Sequence, residues 1–151
     1  MPRTVQVDRL RVFKQAHTLE AWSDGRLIKI YRVAIGRGGP GHKQHEGDGR
    51  TPEGTYAVEA KRASHLFHRF LSLSYPSVKD RASFARARRA GRLAPGARIG
   101  GAIGIHGEKR GWSFLPHKWI DWTQGCIALD NDEIEELWRA VVVDAVVEIL
   151  P

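Results

Sequence analysis

The chain has 151 residues, a length that fits one domain, residues 1–151, with a buried core. Its apolar content of 42% and charged content of 27% are ordinary for a globular protein. The longest apolar run, residues 141–147, is broken by Asp144, so we expect no transmembrane segment. A net charge of +7 favours polyanionic partners, but no zinc-finger or RNA-binding signature is present, and we expect no nucleic-acid partner.

The first half of the chain is predicted to be β-rich. Residues 5–13 alternate between apolar and polar, and residues 18–22 and 26–35 flank an Asp24-Gly25 turn as a hairpin. Residues 36–54 hold most of the local glycine and predict a long loop, which at this length is more often functional than idle. Short strands are expected at residues 55–59 and 71–74.

Two helices are predicted in the second half. Residues 78–90 have helix-forming composition and end at Gly91, and residues 131–142 place five apolar side chains on one face behind a cap at Asp130 or Asn131. A strand at residues 103–105 presents His106 at its end, and a strand at residues 146–150 closes the chain. Many short strands and two modest helices predict a mainly β domain.

Basic residues concentrate in the segment 79–98, which contains six arginines. A solvated helical face is the common explanation of such a run, and a specific anion site is the alternative.

The single cysteine, Cys126, cannot form an internal disulfide, so its reactivity matters first. Many lone cysteines are small buried hydrophobes. Here Gly125 lets the backbone turn tightly beside a ligand, and the preceding Trp122-Thr123-Gln124 is too polar for the middle of a core strand. His106, twenty positions upstream, is the candidate base. We expect a thiolate–imidazolium pair with a depressed thiol pKa.

Three blocks of sequence, in the same order, resemble the L,D-transpeptidase catalytic domain, also called the YkuD domain. That family has a His-Gly step and then a Ser/Thr-x-Gly-Cys motif before an apolar residue, matched here by His106-Gly107 and by residues 123–127. The glycine-rich residues 47–56 match a second block. The third comprises Phe67-His68, residues 73–76 and Asp80, and residues 147–151 are similar to the closing strand. Many members have His at position 124 and Arg at position 128. Gln124 and Ala128 stand there instead, which bears on substrate preference.

This resemblance implies a YkuD-like β-sandwich or barrel core with one or two peripheral helices. It implies that Cys126 attacks the carbonyl of the third residue of a peptidoglycan stem peptide, and that His106 protonates the departing D-amino acid. An amine of a second stem then takes the acyl group, forming a cell-wall crosslink without a metal or organic cofactor. The same resemblance implies capture of carbapenems, a role in cell shape, a monomer, and a location in the cell envelope or periplasm, although no export signal is visible in this chain.

Further site residues follow from the resemblance. The carbonyl of Gly107 would orient His106, and the backbone N–H groups of Gln124, Gly125 and Cys126 would form the oxyanion hole. The substrate-binding candidates are Arg50, Thr51, His68, Tyr75, Trp122 and Thr123. For Arg50, and equally for Lys43, a charge in a solvated loop is the alternative.

Two other functions stay open from the sequence. With water as the acceptor, the same Cys-His site would make an L,D-carboxypeptidase or an amidase-type hydrolase, and without a reactive thiol the arginine-rich segment would make a module that binds an anionic polymer. The pairs His42/His45 and His65/His68 have the spacing of metal ligands. A structural zinc site has a tighter set of four ligands, so we expect no metal.

Overall fold

Eight strands form one sheet in the computed structural model, which describes residues 1–2 and 4–151. In chain order they are β1 (Val7–Phe13), β2 (Thr18–Ser23), β3 (Arg26–Arg32), β4 (Gly54–Ser64), β5 (His68–Leu73), β6 (Gly104–His106), β7 (Ile127–Ala128) and β8 (Val141–Leu150). Across the sheet the order is β3-β2-β1-β8-β4-β5-β6-β7. Two helices, α1 (Val78–Arg89) and α2 (Asn131–Ala140), accompany the sheet. The mainly β fold is confirmed.

Strand β4 joins the two halves of the sheet. Its residues 54–57 pair with β8 and its later residues pair with β5, with a register shift between Val58 and Ala60. Such a bulge bends a strand and increases its twist, so the sheet curls.

The two ends of the sheet meet where the segment after β3 bonds to β7: Ala34 and Ala128 exchange N–H···O=C bonds of 3.0 and 2.9 Å. This closure yields a barrel-like core and places the end of the hairpin beside the strand that follows Cys126.

The hydrophobic core lies inside the curl. It takes fully buried side chains from both halves of the sheet and from one face of α2: Leu10, Leu19, Tyr31, Leu71, Ile105, Ile127, Ile149, Ile134 and Leu137. Burying one such aliphatic side chain contributes roughly 1.5–3 kcal/mol. The core therefore supports β6 and β7 directly, and these are the strands that carry the candidate site.

The predicted hairpin is present, and the geometry of its turn explains why Asp24 and Gly25 occupy it. Asp24 and Gly25 have φ of 47° and 74°, and a two-residue turn with both φ angles positive matches the twist of the flanking strands. Two strands are longer than predicted. β4 extends to residue 64 because pairing with β5 satisfies its backbone, and β8 begins at Val141, which pairs with Val7 of β1. The α2 prediction therefore overran by two β-branched valines.

Helix α1 begins at a capping box, in which Ser77 accepts from the Asp80 N–H and the Asp80 carboxylate accepts from the Ser77 N–H. Four of the predicted arginines lie on this helix and are exposed to solvent: Arg81, Arg86, Arg88 and Arg89. Among the described residues, neither helix has the length and apolar character needed to cross a bilayer.

Candidate active site

Strands β6 and β7 bring the predicted base and nucleophile to one face of the sheet. They pair in parallel, with Ile105 opposite Ile127 and His106 opposite Ala128. Cys126 lies two positions before Ala128, so its side chain leaves the sheet on the same side as that of His106. Standard strand spacing and rise put the two α-carbons about 8 Å apart.

The His106 imidazole is held in one tautomer. Its Nδ1 lies 2.7 Å from the carbonyl oxygen of Gly107, and because a carbonyl only accepts, Nδ1 carries the proton. Nε2 then has the lone pair that a general base needs. Gly107 itself has no room for a side chain, since a Cβ there would lie 2.5 Å from Oδ1 of Asn131. The His-Gly step thus has a packing reason as well as a chemical one.

Aromatic rings enclose the imidazole. Phe67 stacks on it with ring centroids 4.1 Å apart, Phe70 lies at 5.8 Å, and Trp122 meets it edge-on at 5.7 Å. His106 is 1% exposed. Burial disfavours the imidazolium and lowers the pKa of His106 to about 4, although the backbone hydrogen bond opposes the shift. The ring is therefore neutral at physiological pH.

Cys126 is carried by a turn that Thr123 shapes. Thr123 Oγ1 donates to the Cys126 carbonyl at 2.6 Å and accepts from the Gly125 N–H at 3.2 Å. Gly125 has a φ of 143°, and a Cβ there would lie 2.7 Å from the carbonyl oxygen of Arg50, so only glycine fits. The half-buried thiol donates to the Ala102 carbonyl at 3.5 Å. In the part of the chain that the structure describes, no hydrogen bond joins the thiol to the His106 imidazole.

The glycine-rich loop before β4 contacts this turn, and the loop itself is held together by the carboxylate of Asp48. The Asp48 carboxylate accepts hydrogen bonds of 2.6–3.2 Å from four donors of its own loop: Lys43 Nζ and the backbone N–H groups of Gln44, His45 and Arg50. Burial opposes ionisation, but these bonds outweigh it and lower the pKa of Asp48. Lys43 is 5% exposed, and its Nζ also lies 3.5 Å from the carbonyl of Gln124 in the turn.

The thiol pKa moves in the direction opposite to the one expected. Burial raises the pKa of Cys126 to about 11, and the Gly104 N–H and the charge of Lys43 lower it without cancelling burial. Burial thus favours the protonated form of the thiol and the unprotonated form of the imidazole. Both pKa shifts therefore favour a neutral thiol and a neutral imidazole over the expected thiolate–imidazolium pair.

Two of the predicted substrate contacts lie inside the protein. Thr51 is 0% exposed, and its hydroxyl accepts from the Gly36 N–H at 2.8 Å. Tyr75 is 6% exposed, donates to the Ile99 carbonyl at 3.3 Å and packs edge-on against Tyr56. Both side chains support the loop and the sheet, and their burial keeps them from a ligand in this conformation.

The other predicted contacts have different places. His68 is exposed and its Nε2 lies 3.0 Å from a carboxylate oxygen of Glu135 on α2, so it is tied to the helix. Arg50 and Trp122 are half-buried and border the site, Arg50 at the Cys126 turn and Trp122 against the imidazole. Thr123 is buried and builds the turn. The structure thus gathers Arg50, Trp122 and Thr123 around the pair.

The predicted histidine pairs have separate partners. His42 Nδ1 accepts from the Glu53 N–H, and His65 Nε2 contacts Arg110. Among the described residues, the group whose ligand atoms lie close together is a different one: Glu108, His117 and Asp130. It borders the first turn of α2, where Glu108 accepts from the Asn131 N–H and Asp130 is the N-cap. Helix capping accounts for the two carboxylates.

Three residues at the site have no role predicted from the sequence: Asp48, Phe70 and Ala102. Asp48 had a usable signal, because an Asp between Gly47 and Gly49 favours a turn in which its carboxylate binds neighbouring amides. Phe70 had none, since its ring meets His106 only through the pairing of β5 with β6.

Comparisons with known proteins place the chain in a family. Residues 3–149 match the family model of the L,D-transpeptidase catalytic domain. YafK, a provisionally named L,D-transpeptidase of Escherichia coli K12, is 28% identical over 138 residues, which are 87% of this chain and 46% of YafK. The chain thus spans about half the length of the curated relatives that it matches.

Solved structures share the fold. The helical cell shape determining protein Pgp2 from Campylobacter jejuni aligns with a TM-score of 0.70 and 23% identity over 97% of this chain and 48% of that one. L,D-transpeptidase 3 from Mycobacterium tuberculosis, in complex with a faropenem-derived adduct, aligns with a TM-score of 0.61 and 14% identity over 94% of this chain and 59% of that one.

Proposed function

Since this chain belongs to the L,D-transpeptidase catalytic-domain family, we propose that it is a cysteine acyltransferase that acts on peptidoglycan stem peptides outside the cytoplasmic membrane. The observation that carries this proposal is the placement of a half-buried thiol, Cys126, on the sheet face that also carries His106. The Gly107 carbonyl fixes the ring so that Nε2 is the free base.

The acylation step starts from the neutral pair. Sγ of Cys126 bonds to the carbonyl carbon of the third stem residue as its proton passes to Nε2 of His106. Moving the proton during the attack avoids the cost of a resting ion pair. When the tetrahedral intermediate collapses, the amine of the terminal D-amino acid leaves with that proton, and a thioester on Cys126 remains.

The deacylation step reverses these roles. An amine of a second stem attacks the thioester, gives its proton to Nε2 of His106, and forms the new amide. The proton then returns to Sγ as the thiol leaves. No oxidant, metal or organic cofactor enters the balance of either step.

Backbone amides of the Cys126 turn supply the oxyanion hole. The N–H of Gly125 is engaged by the Thr123 hydroxyl at 3.2 Å, a long bond that a stronger acceptor would compete for. The amides of Gln124 and Cys126 have no hydrogen-bond partner in the part of the chain that the structure describes. Removing one such donor typically costs a factor of about 10²–10³ in rate.

The test is covalent capture followed by turnover. Incubation with a carbapenem should add the mass of one β-lactam to the wild-type protein and none to Cys126→Ala, with Lys79→Gln, an exposed change on α1, as the matched control. A full adduct on Cys126→Ala would overturn the proposal.

The acceptor is decided with tetrapeptide muropeptides, with and without a second stem amine. Crosslinked dimers are the expected product of the wild-type protein. Shortened monomers alone, in the presence of the amine, would instead identify a hydrolase that uses the same Cys-His site.

A further inference from the structure

Lys43 is a buried cation next to the turn that carries the nucleophile. It is 5% exposed, and its Nζ lies 2.9 Å from Oδ1 of Asp48 and 3.5 Å from the carbonyl oxygen of Gln124. A lysine is seldom buried to this degree, because removing an ammonium from water is costly even when it is paired. The sequence left open that Lys43 is a charge in a solvated loop, and its burial is inconsistent with that alternative.

The contacts of Lys43 orient one peptide plane. The carbonyl of Gln124 faces Lys43, and the N–H of Gly125, which belongs to the same peptide unit, donates to Thr123 Oγ1. Both ends of that plane are therefore held. The φ of Gly125 is 143°, a value that residues other than glycine rarely adopt. The directions of the flanking amides, including that of Cys126, follow from the plane.

Lys43 also places a positive charge, paired with the Asp48 carboxylate, at the turn that carries the thiol. Its charge lowers the pKa of Cys126 against the effect of burial. Because the ammonium is buried and held by Asp48, salt screens it far less than it would screen a surface lysine.

We propose that Lys43 is a positioning residue of the acyl-transfer site, which holds the Gln124–Gly125 peptide plane and keeps a fixed positive charge beside Cys126. The charge favours the negative charge that develops on sulfur and on the substrate oxygen during attack. The substrate part of this inference rests on the proposed function. The thiol part does not, since thiol reactivity is measured without a substrate.

The first experiment measures alkylation of Cys126 by iodoacetamide at pH 8. Lys43→Gln removes the charge and keeps an N–H donor. Loss of the Lys43 charge should raise the thiol pKa and reduce the thiolate fraction, so alkylation should slow by a few-fold, with the higher nucleophilicity of the thiolate offsetting part of the loss. Lys79→Gln removes one exposed positive charge elsewhere and should leave the rate unchanged.

The sign of the effect separates electrostatics from damage. Loosening the loop would expose the thiol and speed alkylation, so a slower rate in Lys43→Gln cannot come from partial unfolding. Thermal unfolding of each variant establishes that it is folded.

The second experiment measures the rate of acylation by a carbapenem. Lys43→Met, which lacks both charge and donor, should be slower than Lys43→Gln, and Lys43→Arg should recover part of the loss. Alkylation of folded Lys43→Gln at or above the wild-type rate would overturn the inference. If the wild type does not react with the carbapenem, the proposed function fails while the alkylation result still decides the role of Lys43.

Discussion

The two members of the proposed catalytic pair, His106 and Cys126, are positioned in different ways. His106 lies at the end of a core strand, is enclosed by Phe67 and Phe70, and has one hydrogen bond to its neighbouring carbonyl. Cys126 lies in a turn that depends on Thr123 and on a loop more than seventy residues away in the chain. Apolar burial controls the imidazole, whereas polar contacts between loops control the position of the thiol.

This difference separates two kinds of sensitivity. Changes in the aromatic enclosure should alter the pKa of His106 and leave the turn intact. Changes in the turn or the glycine-rich loop should alter acylation rates and leave the imidazole pKa near its starting value.

The largest effect is expected from removing the base on the imidazole side. His106→Gln has no group that takes the thiol proton, and because the thiol pKa is raised, little thiolate forms without one. Carbapenem acylation should fall by a factor of about 10²–10⁴. Stopped-flow or intact-mass kinetics measure the rate, and a wild-type rate in a folded His106→Gln protein would contradict the assignment of the base.

Gly125→Ala is the corresponding change on the thiol side. A Cβ at this φ meets the Arg50 carbonyl at 2.7 Å, so the turn must shift, and a displacement of about 1 Å typically costs 10²-fold in rate. The strain should also lower the free energy of unfolding by about 1–3 kcal/mol. Gly96→Ala is the control, because Gly96 also has a positive φ of 76° but open space at its Cβ. It should lose some stability and keep its acylation rate.

The pH dependence sharpens the comparison from the imidazole side. Acylation needs neutral His106, so its rate should stay level as the pH falls and drop only near the imidazole pKa of about 4. Phe67→Ala opens the enclosure to water, which should raise that pKa and move the acid limb upward. Phe84→Ala on α1, away from the site, should not move it. If the acylation rate of the wild type instead fell near pH 6.5, burial would not control the pKa of His106.

Stability gives an independent reading of the same pKa. His106 binds its proton near pH 6.5 when unfolded and near pH 4 when folded, so the unfolded state binds more protons between these values. The free energy of unfolding should therefore decrease as the pH falls from 6.5 to 4, by up to about 3 kcal/mol. Denaturant titrations at several pH values, with His106→Leu as the control that lacks this dependence, measure the effect.

The smallest effect is expected from a polar contact that involves neither member of the pair. Glu135 on α2 binds Arg69 of β5 through bonds of 2.7 and 3.2 Å, and its pKa is lowered to about 2, mainly by Arg69. Because these groups are near the surface, Glu135→Gln should cost at most about 1 kcal/mol at pH 7. The loss should vanish as the pH falls from 4.5 toward 2, where the wild-type carboxylate also becomes protonated. Acylation should not change, and a tenfold slower rate would place α2 within the site.

Local patterns predicted much of the fold. The Asp24-Gly25 turn, the α1 helix and the strand before His106 follow from turn chemistry and periodicity, which act over a few residues. The ends of β4 and β8 did not follow, because strand length depends on which partner satisfies the backbone. The α2 boundary shows the same limit, since Val141 continues the helical face in the sequence but pairs with Val7 in the sheet.

The sequence by itself determined which side chains are available for chemistry: a single thiol after glycine, a His-Gly step, and a glycine-rich loop, in the order that the family shares. Only the tertiary structure decided their protonation and their partners. It placed His106 among aromatic rings, buried Thr51 and Tyr75, raised the pKa of the thiol, and brought Lys43 to the Cys126 turn. The physical reason is that pKa values and hydrogen-bond partners depend on burial and on contacts between segments remote in the chain, which local sequence patterns do not encode.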